Sequence, residues 1–452
     1  MKLMREVLGM DSLLEKIYAM TKEEMADCAR YVMLGGGTLG GPILKSGKGV
    51  RVFDVDGKSY IDCTSQSWAL YLGYANEEIN KIITEHIQSL SHVHQGFDTQ
   101  PRYYLSRELA RIAPKELNRV SFTTGGGLAI EAAMKICIKN TKDSRDFICL
   151  YDSYHGTTLG SMGASWLSTR ASGKLVGGSR FLQLTRPFIR VPNPYCYRCP
   201  MDLERSSCSM ACVKMLKTTL ERGIAGNAAG LILEPIQASG GQIILPKEYL
   251  QAVREICDDF NVPLIFDEIQ TYGRIGEFFA ATYFNVTPDI IVLGKGLGAG
   301  LPISAIIISD KLQGFQTDGE ELHTFANSSV AQVAAAKQIQ ILEESVLSNT
   351  RKMGEYLKKN LYEIQREFPE IGDIRAVGLH IGIEFVEDPL SKKPLFEETE
   401  KIRDIGLKNG VIFGLGGAHK NVLKIKPPLI VNQSECDEVL DTLRKCMIEV
   451  LR

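Results

Sequence analysis

Ile290-Ile291-Val292-Leu293-Gly294-Lys295-Gly296-Leu297-Gly298 decides how this 452-residue sequence is read. Four consecutive apolar residues, three of them β-branched, fit a strand buried on both faces. The glycines flanking Lys295 remove side-chain bulk, so a lysine placed directly after the strand can enter a tight cavity. An isolated lysine is normally a solvated side chain; the setting gives this one its weight. The same pattern repeats outward from it. Between about residues 75 and 320, short apolar runs alternate with helix-length segments. The candidate strands are Arg119 to Thr123, Phe147 to Tyr151, Gly230 to Leu233, Pro263 to Phe266, Asp289 to Leu293 and Ile303 to Ile308. This alternation predicts an α/β protein with a mostly parallel sheet covered on both faces, whose ligands sit at the carboxyl ends of the strands.

The flanks read differently. Ser12 to Met33 suits one or two amphipathic helices and runs into Gly35-Gly36-Gly37. Val50 to Asp62 reads as a hairpin turning at Asp56-Gly57. Beyond residue 325, helices return, with strands at Ile381 to Val386 and Val422 to Ile425 and a closing helix from Ser434 to Leu451.

The 52 basic and 54 acidic residues nearly balance, which argues against nucleic acid or an anionic membrane as a general partner and favours a small molecule. No apolar run is long enough to span a bilayer, and Met1 to Gly9 lack a signal-peptide core, so a cytoplasmic protein is expected. The eleven cysteines are then expected to be reduced thiols. Cys196-x-x-Cys199 and Cys208-x3-Cys212 have a spacing compatible with four-thiolate metal binding or with a plain insertion loop. No metal is assigned to the site.

Two further segments carry chemistry. Asp267 closes the run Pro263-Leu264-Ile265-Phe266, which puts a carboxylate at a strand end. Thr124-Gly125-Gly126-Gly127 lies between a strand and a helix, where bare backbone amides can cradle a phosphate. It lacks the Gly-Lys-Ser/Thr of a nucleotide P-loop, and Gly35-x-Gly37-x-x-Gly40 lacks the strand-to-helix setting of a dinucleotide fingerprint.

In order and spacing, these elements resemble the class III aminotransferases, pyridoxal-phosphate (PLP) enzymes of fold type I. Thr124 to Glu131 is similar to the family's phosphate loop, and Tyr154-His155-Gly156-Thr157-Thr158 to the segment that stacks on the cofactor ring. Glu234-Pro235-Ile236, Asp267-Glu268-Ile269-Gln270, Gly294-Lys295-Gly296, His323-Thr324-Phe325, Arg375 with Gly378-Leu379, and Pro427-Pro428-Leu429 follow in the family's order. The resemblance implies a large domain with a seven-stranded, mostly parallel sheet over residues 76–325. A smaller α+β domain would be built from residues 1–75 and 326–452. It implies that Lys295 carries PLP as a Schiff base and shuttles protons, Asp267 binds the ring nitrogen, Tyr154 stacks and Gln270 reaches the ring hydroxyl. Gly126, Gly127 and Thr324 would hold phosphate, Thr324 across a homodimer or dimer-of-dimers interface, while Glu234 would orient its neighbours. The implied reaction moves an amino group from an amine or amino acid to a 2-oxo acid of the pyruvate or 2-oxoglutarate type.

The sequence also departs from the family. Leu128 replaces an acidic residue, and the stretch after Gln270 is shortened to Tyr272-Gly273-Arg274. Gln66, Ser67 and Trp68 stand where the family commonly borders its substrate. Lys424 replaces a carboxylate-binding arginine, which keeps the charge but loses the two-pronged geometry. Ser239 replaces the glutamate that pairs with that arginine in ω-amine transaminases. Glu234 to Gly241 and Gly298 to Pro302 look closest to the dialkylglycine decarboxylase branch. Decarboxylases, racemases and amine lyases on the same scaffold are therefore the alternatives.

Overall fold

Seven short apolar strands between residues 117 and 309 form the central sheet of the computed structural model, which describes residues 12–33, 41–142, 144–165, 170–171, 174–175, 177–184, 188–316 and 319–452. Met1 to Gly9 and the glycine run from Gly35 to Gly40 lie outside the described residues.

Near the N-terminus, β1 (Leu44–Lys48), β2 (Arg51–Asp54) and β3 (Ser59–Asp62) form an antiparallel meander. The β2–β3 turn uses Gly57 at φ +84°, and Asp54 Oδ1 accepts the Asp56 and Lys58 amides across it. The central sheet contains β4 (Leu117–Thr123), β5 (Asp146–Leu150), β6 (Phe188–Val191), β7 (Ala228–Leu233), β8 (Leu264–Asp267), β9 (Ile290–Leu293) and β10 (Ser304–Ser309). Their spatial order is β4-β10-β9-β8-β7-β5-β6, with β10 antiparallel to both neighbours and the other pairings parallel. Every residue of β7 to β10 is buried, which explains why their sequences are continuous apolar runs without alternation. The six expected strands are present, with ends shifted by no more than two residues. β6 is the seventh strand. Its four residues include Arg190 and lie at the sheet edge, where Phe188 packs on Phe147 of β5 with ring centroids 5.8 Å apart. Helix α1 (Gly126–Asn140) follows β4 and covers β7, β9 and β10.

A second sheet holds β11 (Ile371–Val377), β12 (His380–Phe385), β13 (Gly414–Gly416) and β14 (Val422–Ile425) in the antiparallel order β11-β12-β14-β13. The residues Val411–Ile412 pair in parallel with β3, so the two ends of the chain share a sheet. Helices α2 (Ser329–Ile341) and α3 (Leu347–Glu367) are joined by one π-helical turn, and α4 (Gln433–Leu451) packs on α3. The Ser12 to Met33 segment forms two helices, Ser12–Tyr18 and Lys22–Cys28, the second opened by a Thr21–Glu24 capping box. No helix among the described residues is long and apolar enough to cross a membrane.

The two sheets meet where three backbones nearly touch. A Cβ at Gly354 of α3 would lie 2.4 Å from the Gly378 carbonyl oxygen, and one at Gly378, itself at φ +53°, would lie 2.6 Å from Ile275. Ile275 belongs to the loop that leaves β8, so this contact fixes that loop against the β11–β12 turn. Alanine favours a helix over glycine by about 1 kcal/mol. Here the backbone clash should dominate, and Gly354→Ala is expected to destabilise the protein by roughly 1 to 3 kcal/mol. Urea denaturation tests this, and an increased midpoint would contradict the packing argument.

Candidate active site

Parallel strands deliver their carboxyl ends to one edge of the sheet, and four of those ends bring the candidate residues together. β5 leads to Tyr154 and His155, β7 to Glu234, β8 ends in Asp267 and β9 leads to Lys295. These residues line a cavity of about 230 Å³ together with Gly126, Gly127 and Gln270.

Lys295 sits at φ +44°, a left-handed conformation that an L-residue holds only when its surroundings impose it. Its neighbours show how tight the turn is. A Cβ on Gly296 would lie 2.1 Å from the Tyr71 ring, and one on Gly294 would lie 2.9 Å from Ser304 Oγ. The side chain lines the cavity. Burial pushes the Lys295 amine below its ordinary pKa, while the charges of Asp267 and Glu234 oppose the shift. Its free-base population is thereby raised, and the free base is the nucleophilic form of an amine.

Asp267 Oδ2 lies 2.8 Å from His155 Nδ1, and Asp267 Oδ1 accepts the Ile269 amide. The fully enclosed His155 is in turn held through its own amide by Ser165 Oγ. Glu234 uses both oxygens on backbone, accepting from the Tyr154 and Ala238 amides at 2.9 and 3.0 Å. It therefore positions Tyr154 without entering an ion pair. Burial raises the Glu234 pKa, and His155 opposes that rise.

Gly126 and Gly127 begin α1, whose first amides have no intrahelical acceptor. A Cβ on Gly156, at φ +114°, would lie 2.9 Å from Gly127 Cα, so the two backbones can approach this closely only as glycines. The result is a bare amide surface at a helix N-terminus, facing the same cavity as Lys295.

Opposite the sheet, residues 65 to 68 make a left-handed turn, with φ of 45°, 47°, 58° and 68° and no glycine among them. Asp62 compensates the strain by accepting from the Thr64 amide and hydroxyl, the Gln66 amide and side chain, and the Tyr74 hydroxyl. Ser65 Oγ also donates to the Lys426 carbonyl. This turn aims Trp68 at the cavity. The Nζ atoms of Lys295, Lys424 and Lys426 lie 5.5, 5.1 and 4.4 Å from its ring centroid.

The anticipated residues thus fall into two groups. Lys295, Asp267, Tyr154, Gln270, Gly126 and Gly127 line the cavity, with Trp68 and Lys424 beside it. Gln66 is exposed and bound to Asp62 and Tyr74, Ser239 contributes its carbonyl to the Gly417 amide, and Thr324 is exposed away from the cavity. Asp62, His155 and Lys426 were not assigned from sequence. Only His155 carried a signal, as the neighbour of Tyr154. Arg274, fully buried, donates to the Pro427 carbonyl and to Ser65 Oγ, locking the shortened loop onto the second sheet. The cysteines at 196, 199, 208 and 212 are free thiols lining one small cavity; no group of three His, Cys, Asp or Glu side chains among the described residues is set to hold a metal.

Comparison with known proteins gives the family. The aminotransferase class-III family model matches residues 40–447. The chain belongs to that family. It is 34% identical over 408 residues to a leucine/methionine racemase of Thermococcus litoralis, covering 89% of this chain and 90% of the relative. It is 32% identical over 417 residues to a diaminobutyrate–2-oxoglutarate aminotransferase of Rhizobium meliloti, covering 88% and 86%. The crystal structure of a Bacillus anthracis aminotransferase superposes with a TM-score of 0.85 at 28% identity, covering 96% of this chain and all of that one.

The buried lysines of this class-III chain bear on its stability. Lys424 is 2% exposed, and burial lowers its pKa from 10.5 to about 8, with Lys295 adding to the shift and Glu234 opposing it. Between these two pKa values the unfolded chain binds more protons than the folded one, so stability rises with pH across that window. Below about pH 8 the charge opposes folding by about 3 kcal/mol. Lys424→Met should therefore stabilise the protein at neutral pH, and the gain should shrink as pH rises from about 8 to 10.5. Chemical denaturation across that range checks the sign; a gain that grows with pH would refute it.

Proposed function

We propose that this chain is a PLP-dependent aminotransferase that moves an amino group from a small amine or amino acid to a 2-oxo acid of the pyruvate or 2-oxoglutarate type. The observation that carries the reading is the cavity itself. It sets a desolvated lysine amine against a histidine-braced carboxylate, beside the bare amides of a helix N-terminus.

These groups fit PLP. The Gly126 and Gly127 amides suit a phosphate, and Asp267, braced by His155, suits a protonated ring nitrogen. Tyr154, whose backbone amide donates to Glu234, lines the cavity and offers its ring for stacking. When bound, PLP supplies an aldehyde that condenses with amines and a ring that accepts the electron pair released at the substrate carbon. Lys295, with its amine biased toward the neutral form, can take the proton from that carbon and return it elsewhere. Trp68 shields this amine from bulk water on the side opposite the sheet. The large cofactor-binding unit is assigned to residues 76–325, and the smaller one to residues 1–75 and 326–452.

Amino transfer consumes a 2-oxo acid. Product formation from a donor screen should therefore require pyruvate or 2-oxoglutarate. The racemase relative supports a second reading, in which Lys295 returns the proton to the same carbon. Loss of optical purity without any 2-oxo acid would select that reading; carbon dioxide release in step with turnover would select decarboxylation. Asp267→Asn should slow single-turnover proton abstraction by about 100- to 1,000-fold, and a nearly unchanged rate would remove Asp267 from the chemistry.

A homodimer is part of the proposal. Leu322 and Phe325 flank Thr324 and are 55% and 61% exposed, and Leu13, Ile17 and Tyr31 of the N-terminal segment are also open to solvent. These exposed apolar side chains support the homodimer reading. Thr324→Ala should release phosphate-bearing cofactor more readily without unfolding the chain. A fully active monomer by light scattering would contradict the shared site.

A further inference from the structure

Lys426 is a buried amine to which the proposed reaction gives no task. It follows β14 and is fully enclosed. Its backbone is held firmly: the amide donates to the Cys63 carbonyl at 2.9 Å, its carbonyl accepts from Ser65 Oγ at 2.7 Å, and the next carbonyl, of Pro427, accepts from Arg274 Nη1 at 2.8 Å. The side chain then runs along Trp68, with Nζ 4.4 Å from the ring centroid. Nζ ends 2.8 Å from Gln270 Oε1 and 3.3 Å from His380 Nε2.

The charged groups that bear on Lys426 come from several elements, while Cys63, Ser65 and Trp68 pack on it without charge. Arg274 lies on the loop after β8, Lys424 on its own strand, and Lys295 and Glu234 at the ends of β9 and β7. His380, on the neighbouring strand β12, is kept neutral by burial and by these cations. Burial and the neighbouring cations push Lys426 well below its ordinary pKa. In either charge state Nζ retains at least two N–H bonds, enough to serve both Gln270 Oε1 and His380 Nε2.

A donor fixed on Oε1 settles which way the Gln270 amide faces. Its oxygen is occupied by Lys426, while its Nε2 makes no hydrogen bond among the described residues. Gln270 also lines the cavity beside Asp267 and Lys295. We infer that Lys426 is a positioning residue: by occupying Gln270 Oε1 it presents Gln270 to the cavity as a hydrogen-bond donor, matched to an oxygen anion on the ligand bound there. This rests on the proposed function, under which that oxygen is the ring oxygen of PLP, and it adds a residue to that reading. A donor stabilises the deprotonated oxygen. Lys426 therefore lowers the pH at which the Lys295-linked cofactor gives up its proton, a transition read by visible absorbance and independent of turnover.

The test is a spectrophotometric titration of the PLP-loaded wild type, Lys426→Met, Gln270→Ala and the double variant. Lys426→Met is expected to raise the midpoint by about one pH unit, and to add no further shift in the Gln270→Ala background. Lys426→Gln keeps an N–H for Oε1 without the charge and should restore most of the wild-type midpoint; it also serves if the methionine variant does not fold. An unchanged midpoint in Lys426→Met overturns the inference. So does an equal shift with and without Gln270, which would make Lys426 a through-space charge only. A wild type that forms no visible band with PLP would instead defeat the proposed function, and this inference with it.

Discussion

The arrangement depends on taking amines out of water. Lys295, Lys424 and Lys426 converge on one indole ring, with Arg274 close behind, while the carboxylates that reach them are Asp267 and Glu234. An isolated buried ammonium is costly, and a lysine can relieve the cost by giving up its proton. All three lysines are shifted in that direction, and Glu234 is shifted toward its neutral acid. Burial thus biases these amines toward the neutral form, which for Lys295 is the nucleophilic one. The parallel sheet supplies Lys295, Asp267 and Glu234 from adjacent strands. The second sheet supplies Lys424 and Lys426.

Closure of the cavity rests on a strained element. Four consecutive left-handed residues cost roughly 1 to 2 kcal/mol each in an L-polypeptide. Residues 65 to 68 hold this conformation because Asp62, fully buried, gathers donors from Thr64, Gln66 and Tyr74, and because Ser65 is bonded to Lys426 and Arg274. The strain places Trp68 over the amines. It also explains why Gln66, two residues before Trp68, does not reach the cavity: the turn directs it toward Tyr74.

Much of this could be read from the sequence because it is local. Buried parallel strands are apolar on both faces, so β7, β8 and β9 appear as apolar runs whose ends fall at the ligand edge. Lys295, Asp267 and the Gly126–Gly127 loop were legible for that reason. β6 was not, because a four-residue edge strand containing an arginine has no period to detect. Asp62 acts on near neighbours, Thr64, Gln66 and Tyr74, through a left-handed turn that carries no glycine to announce it, whereas His155 and Lys426 owe their roles to partners far away in the chain. His155 meets Asp267 across 112 residues, and Lys426 meets Gln270 across 156. Thr324 is a different case: its assigned role lies across an interface, and within one chain it stands exposed.

The central claim is that the Lys295 amine forms the covalent link to pyridoxal phosphate. Borohydride reduction of the PLP-loaded protein, followed by peptide mass spectrometry, tests it most directly. The account predicts a single reduced cofactor adduct on the peptide containing Lys295, absent from Lys295→Ala. A reduced adduct located instead on Lys424 or Lys426, the other amines beside Trp68, would contradict it.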